Sequence, residues 1–334
     1  MDRKAVCASM EGQATVVAEI TVERIRALRE RTGAGMMDVK RALEQAGGDE
    51  EGALRILREK GLAQAAKRAT RAALEGLVAA HVDPATGRAA LVEVNCETDF
   101  VARTDDFRAL VERLARHAAR LGEDLAEAGG EAHRDPRGET SLERVEGLLA
   151  QPVEGEGKPA REVLMETAAR LGERVRLRRY AVFATRGAVE SYIHGDGRIG
   201  VLLEAVVQPS EAAERPEVRQ VLKDLAMQVA AYRAEYVERT QVPEAVRERK
   251  RQIYRSAALN EGKPEKVVDR IVEGRLDKFY QEVCLLEQPF IRDPNVQVGR
   301  HVQETLKPLG VQLQVRRFVR FERAEQLAGE AQEA

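Results

Sequence analysis

Leu91-Val92-Glu93-Val94-Asn95-Cys96-Glu97-Thr98-Asp99-Phe100-Val101-Ala102 is the stretch at which the chain changes its period. Upstream, Leu77 to Val82 and Ala89 to Asn95 read as strands, and they flank Asp83-Pro84-Ala85-Thr86-Gly87, whose Pro and Gly suit a hairpin loop. Downstream, a loop from Cys96 to Asp106 leads to a helix with Phe107, Leu110, Val111, Leu114 and Ala118 on one stripe.

The same unit returns. Val189 to Ile193, a turn at His194-Gly195-Asp196-Gly197 and Ile199 to Val207 form a second hairpin. Val218, Val221, Leu222, Leu225 and Val229 stand 111 positions after the stripe that begins at Phe107, and Glu204 follows Glu93 at the same offset. Two copies of a hairpin-loop-helix unit therefore predict an α+β fold with a duplicated core, residues 76–186 and 187–240.

Other segments surround this pair. Thr21, Asp38 and Asp49 each cap or open a short amphipathic helix, with stops at Gly33-Ala34-Gly35, Gly47-Gly48 and Gly61, which predicts a three-helix bundle over 20–61. Residues 62–75 read as a connecting helix. Residues 122–157, rich in Gly, Glu and Pro, read as a mobile insertion with one helix near Ser141 to Leu149. Helix Ala160 to Leu171 and strand Arg174 to Ala184 complete the first unit. Two long charged helices over 241–285, parted by Asn260-Glu261-Gly262-Lys263-Pro264, predict an antiparallel coiled-coil arm. The tail, 286–334, includes a strand from Gln312 to Phe321 placed to rejoin the second sheet. Residues 1–19 have no sustained period and are expected to be an extension outside the native product, with translation starting near Val17.

Composition narrows the function. With 334 residues, 43% hydrophobic and 33% charged, the chain suits more than one soluble domain. Its 54 Lys and Arg nearly cancel 56 Asp and Glu, which argues against unspecific nucleic-acid binding. Cys7, Cys96 and Cys284 stand alone, with neither CxxC nor paired-His spacing, so no metal site is expected and a reducing cytoplasm is the simplest setting. The chain carries neither an apolar run of spanning length nor the h-region of a signal peptide.

Chemistry is sparse. Cys96 beside His81 could form a thiol site, but a nucleophile also needs an orienting partner and an oxyanion hole, and a buried thiol is the commoner outcome. Gly33-Ala34-Gly35 runs into Met36 and Met37 rather than the GK[ST] of a P-loop, so no bound nucleotide or other cofactor is expected. The two methionines either fill the bundle or offer an adaptable apolar contact. In Thr98-Asp99-Phe100-Val101 an aromatic ring stands in a polar connection, and its pocket belongs either to the following helix or to a partner.

Two stretches, Leu28-Arg29-Glu30-Arg31-Thr32-Gly33-Ala34-Gly35-Met36-Met37-Asp38 and Glu93 to Ala102, resemble the two signatures of the elongation factor Ts family. Ser191-Tyr192-Ile193-His194-Gly195, Arg198 to Leu202, Val272-Glu273-Gly274-Arg275 and Gln288-Pro289-Phe290 extend the resemblance from about Ala18 to Glu322. It implies a ubiquitin-associated-like N-terminal bundle, a duplicated α/β core, a coiled-coil protrusion and a C-terminal module. It also implies a guanine nucleotide exchange factor without covalent chemistry, working on elongation factor Tu in the cytoplasm as a one-to-one heterodimer. In such a factor Asp99 and Phe100, flanked by Thr98 and Val101, approach the magnesium end of the GTPase's nucleotide pocket. By the same resemblance Arg29, Met37, Lys40, Leu171, His194, Ile291 and Arg292 are partner contacts. Arg292 departs from the aliphatic or Met residue usual there, Gln228 stands where His is common, and 122–157 has no secure counterpart. A binding module for another client is the alternative reading.

Overall fold

The computed structural model describes residues 19–127 and 142–327. The expected extension and part of the expected insertion lie outside the described residues.

Helices α1 (Val22–Thr32), α2 (Met36–Gln45) and α3 (Glu50–Lys67) enclose a small core of Ile25, Leu28, Val39, Leu43, Ala53 and Leu57. Their ends follow from capping chemistry. The Thr21 hydroxyl accepts from the Arg24 N–H at 3.3 Å, and Gly33, at φ 67°, closes α1 through a left-handed residue that a Cβ would disfavour. Two local expectations fail. Asp38 does not open α2, which starts at Met36 behind Gly35; its carboxylate instead binds Lys60 at 2.6 Å. Gly61 does not end α3, which continues to Lys67, and no separate connecting helix spans 62–75, because the chain turns and enters a strand at Glu75. A Cβ on Gly61 would lie 2.9 Å from that of Ala169, so this glycine serves close helix contact rather than termination.

The core begins with β1 (Glu75–Asp83) and β2 (Arg88–Cys96). A single turn, α4 (Asp99–Ala102), replaces the expected open loop and leads into α5 (Asp105–Glu127). Next come α6 (Leu142–Ala150), α7 (Ala160–Leu171) and β3 (Arg176–Ala184), which pairs with β2 to give the sheet β1-β2-β3. Residues 142–157 are not a loose insertion: Val145, Leu148, Leu149 and Val153 are buried in the core beneath this sheet.

The second unit repeats this plan. It comprises β4 (Ala188–His194), β5 (Ile199–Gln208) and α8 (Pro216–Tyr232). The arm follows as α9 (Glu244–Asn260) and α10 (Glu265–Val283), closed over Ala258, Val268, Val272 and Leu276 and laced outside by Arg255–Asp269 at 2.6 Å and Arg275–Glu261 at 2.8 Å. The tail forms β6 (Pro289–Phe290), β7 (Asp293–Gln297), α11 (Val298–Leu306) and β8 (Gln312–Glu322). Strand β8 completes the sheet β4-β5-β8.

Each sheet buries one face under helices. Phe107, Leu110, Val111, Leu114 and Ala118 of α5 pack in the first core, and Val218, Val221, Leu222, Leu225 and Val229 of α8 in the second. The sheets meet through their other faces, where Val78, Leu91 and Phe183 pack against Leu202, Val319 and Phe321. The order is helix, sheet, sheet, helix. Apposition is close at Gly200, where a Cβ would fall 2.4 Å from Val78 and 2.8 Å from Leu91, so only glycine fits between the layers. Facing layers explain why both copies lack polar alternation along their central strands.

Candidate functional site

The candidate stretch begins where β2 leaves its sheet. Thr98 is the N-cap of α4, with its hydroxyl accepting from the Val101 N–H at 3.4 Å and its carbonyl from the Ala102 N–H at 3.3 Å. Ala102 is buried and Val101 packs on the first core, so one side of this turn is fixed by apolar burial. The other side carries Phe100, which is 80% exposed. Its ring therefore does not belong to its own subdomain. Asp99, next to it, pairs with Arg103 at 2.9 Å on the surface, an arrangement that solvent screens.

The turn is fastened from across the sheet. Gly172, in the left-handed region at φ 74°, ends α7, and Glu173 then points its carboxylate at the Glu97 and Thr98 N–H groups, both at 3.0 Å, and at the Thr98 hydroxyl. In return the Glu97 carboxylate accepts from the Arg174 N–H at 2.6 Å. Sequence reasoning missed Glu173, because one glutamate after a glycine carries no spacing signal. Its place two residues after Leu171, a contact that the resemblance implies, is the one available hint.

Leu171, half-buried against the first core, ends α7, on which the bundle also docks. A Cβ on Gly33 would stand 3.4 Å from that of Arg170, and Arg58 of α3 pairs with Glu162 and, at 2.7 Å, with Glu166. A cleft of about 760 Å³ separates the bundle loop from α7. Arg29, Met37 and Lys40 are exposed on α1 and α2. Met36 and Met37 are 50% and 61% exposed, so they do not fill the bundle core and remain free to meet another surface.

His194 sits exposed at the end of β4, its Nδ1 3.0 Å from the Tyr192 hydroxyl and the two rings stacked. The turn that follows is tied to the start of α5 by Arg108 and Asp196 at 2.8 Å, a bond that holds the Asp196 carboxyl below its usual range, with Arg103 adding to it. The second hairpin turn is thus brought beside the junction of α4 and α5. Thr98 to Val101 follow the central β2, Leu171 precedes β3, and the His194 turn lies beside β1, where the Val78 N–H donates to the Gly197 carbonyl at 2.8 Å, so these residues share one end of the first sheet.

Ile291 and Arg292 do not join that end. They lie on the α8 side of the molecule, where Ile291 donates its N–H to Gln228 Oε1 at 2.8 Å and Arg292 pairs with Asp224 at 2.6 Å. Gln228 is fully buried and also binds Gln288 and the Pro289 carbonyl, so the departure from His here is absorbed by a local hydrogen-bond cluster.

Cys96 is no nucleophile. It is fully buried, its Sγ lies 3.2 Å from the Thr98 carbonyl, and burial followed by the charge of Glu173 pushes its thiol up to about 12, so no useful thiolate exists near neutrality. Among the described residues no helix is long and apolar enough to cross a membrane.

Comparison with known proteins agrees with the two signatures. A family model described as Elongation factor TS matches residues 97–325. The chain is similar to Elongation factor Ts of Aquifex aeolicus, 45% identical over 304 residues that cover 91% of this chain and 97% of that protein. It is similar to Elongation factor Ts of Clostridium acetobutylicum, 43% identical with 92% and 93% covered, and to that of Symbiobacterium thermophilum, 42% identical with the same coverage. Matches of this extent, spanning the exposed Phe100 turn and both sheets, mean that the chain belongs to the elongation factor Ts family and is a translation elongation factor.

Proposed function

We propose that the protein is a guanine nucleotide exchange factor that binds elongation factor Tu and promotes release of its GDP, so that GTP can rebind. The observation that carries this reading is Phe100, an aromatic ring 80% exposed on a turn whose backbone is held by hydrogen bonds on one side and apolar burial on the other. A soluble protein gains nothing from such a ring unless a partner buries it.

The work of exchange is thermodynamic and needs no covalent step. A nucleotide held at nanomolar affinity is bound by about 12 kcal/mol, whereas burying one phenylalanine contributes about 3 kcal/mol at most. The ring alone cannot displace GDP. Asp99 beside it would disturb the magnesium end of the pocket, while Arg29, Met37, Lys40, Leu171 and His194 supply further contacts that favour the nucleotide-free partner. Ile291 and Arg292 would form a separate contact on the α8 side. Coupling of this kind is reciprocal, so GDP with magnesium must weaken the complex by the factor by which the protein weakens GDP.

The test is release of a fluorescent GDP from purified elongation factor Tu, followed by stopped flow with increasing amounts of this protein. Wild type is expected to accelerate release, and Phe100→Ala to lose that acceleration while keeping its circular dichroism and urea midpoint. Normal acceleration by the variant would show that the ring is not the wedge. Failure of wild type to accelerate release, with a different client retained on an affinity column, would favour the binding-module reading.

A further inference from the structure

We propose that Glu173 is a positioning residue for exchange, acting as a latch that presents Phe100 in a preformed orientation. This rests on the exchange reading and deepens it. The reason lies in the size of the element that carries the ring. Helix α4 is four residues long, too short to be stable from its own hydrogen bonds, and its exposed ring contributes no packing of its own to hold it. Something outside the turn must fix it.

Ala102 and Val101 hold the buried side of the turn, and the structure assigns the other side to one carboxylate. Glu173 accepts from two successive backbone N–H groups, Glu97 and Thr98, and from the Thr98 hydroxyl, which itself caps α4. The exchange runs both ways, since Glu97 accepts from the Arg174 N–H and is approached by Arg71 at 3.3 Å. Backbone pairing of β2 with β3 stops at Asn95 and Arg176, so these side-chain bonds extend the junction of the two strands beyond the last ladder pair. Charge-assisted bonds to backbone N–H groups are the stronger kind. Glu173 stands one residue past the left-handed Gly172 and two past Leu171, so the end of α7, where the bundle docks, and the Phe100 turn share one anchor.

A latch of this type acts on binding rather than on the bound state. Without it the turn samples other conformations, and the partner must select the competent fraction, which raises the apparent dissociation constant by the reciprocal of that fraction and leaves the saturated complex unchanged. A merely structural role would lower stability without this split.

The experiment uses the full chain and the stopped-flow GDP release assay. Glu173→Ala is expected to raise the half-saturating concentration of the factor about 10-fold or more while the rate at saturation stays within about twofold, a competent fraction of about one tenth. Glu173→Gln, which keeps one carbonyl acceptor for the N–H groups, is expected to recover most of the loss. In a direct measurement of binding to elongation factor Tu, the further substitution should cost less on the Phe100→Ala background than in wild type, because the two act through one element. Amide hydrogen exchange at residues 98–102 of the free protein is expected to accelerate at least about 10-fold in Glu173→Ala, a result independent of the partner. The proposal is overturned if half-saturation is unchanged, if the loss falls on the saturated rate instead, or if it persists in full without Phe100. Should Glu173→Ala not fold, Thr98→Val, which removes the hydroxyl that donates to Glu173, carries the loss and Glu173→Gln the near-normal control. Loss of exchange in Phe100→Ala with an unaffected Glu173→Ala would sink the latch alone, whereas normal exchange by Phe100→Ala would sink the wedge reading itself.

Discussion

The guanidinium of Arg179, on β3, lies 4.2 Å from the centre of the Phe321 ring on β8. Arg317 on β8 returns the contact, 4.3 Å from the ring of Phe183 on β3. Each arginine also pairs with the buried glutamate of its own central strand: Arg179 with Glu93 at 2.7 Å, Arg317 with Glu204 at 2.6 Å. Both pairs sit where the register slips, between Glu93 and Val94 and between Glu204 and Ala205. The extra residue of each bulge, Arg178 or Arg316, turns towards the same carboxylate, at 3.0 Å and 3.7 Å. The two halves are thus clasped by one device used twice.

The copies differ in burial, and that difference sets their expected energies. Arg179 is fully buried, whereas Arg317 keeps about a third of its side chain in solvent. Arg179→Met leaves Glu93 in the interior with Arg178 as its remaining cation, which is expected to cost about 3 kcal/mol. Arg317→Met should cost less, because water reaches the site and screens Glu204. Urea denaturation of both variants measures the contrast; an equal loss would show that burial is not what separates them.

Glu93 also links this clasp to pH. Burial pushes its carboxyl up, but Arg179 and Arg178 outweigh that together, with help from the Ala324 N–H, and hold it below the usual value. Its folded value therefore lies below its unfolded one, near 4.3. The stabilisation is complete above that unfolded value and disappears as pH falls through the folded one. The urea midpoint should be flat from about pH 7 to 5 in this respect and fall below about 4. Glu93→Gln should be less stable at neutral pH and show a shallower acid decline.

Much of this was legible in the sequence, for reasons that are local. The offset of 111 positions between Phe107 and Val218 survives because both stripes bury the same helix face, and the α7 boundaries follow from Pro159 and Gly172 on either side. Gly61 was misread because a glycine needed for contact with Ala169 is indistinguishable, along the chain, from a helix stop. The helix near Ser141 to Leu149 is present as α6, but 142–157 reads as a loose insertion because Gly and Glu composition conceals Val145, Leu148 and Leu149, whose burial depends on α5 and α7 arriving from elsewhere. Of the site, Phe100 was visible as an anomaly, but Glu173 was not, since a tertiary hydrogen bond leaves no period.

Cys96 and Cys284 are both buried, and burial leads in raising each thiol to about 12. Neither is expected to react with iodoacetamide at about pH 8 in the native protein, since the thiolate fraction at such a shift is about one in 10,000 and access is closed besides. Peptide mass spectrometry after brief labelling should find both free, and both alkylated once the protein is in denaturant. Cys96→Ser should retain GDP release, because its hydroxyl can still donate to the Thr98 carbonyl.

Gly61 offers a way to separate the bundle's position from its surface. It lies in the interior of α3 and far in sequence from Arg29, Met37 and Lys40, yet a Cβ there would meet that of Ala169 at 2.9 Å, on the face where α3 rests on α7. An added methyl would on its own favour the helix by about 1 kcal/mol. A larger, β-branched side chain adds atoms to an interface already in contact, which costs about 1–3 kcal/mol unless the helices part. Gly61→Val should therefore loosen the bundle from α7 while its internal core of Leu28, Val39 and Leu43 stays intact. In hydrogen exchange the facing segments of α3 and α7 should lose protection, with the sheets unaffected. In the GDP release assay the half-saturating concentration should rise several-fold, because the bundle contacts and the Phe100 turn are no longer presented at a fixed spacing. Unchanged half-saturation, alongside demonstrated loss of protection, would mean that the bundle acts as a tethered module and that its docking on α7 is not part of recognition.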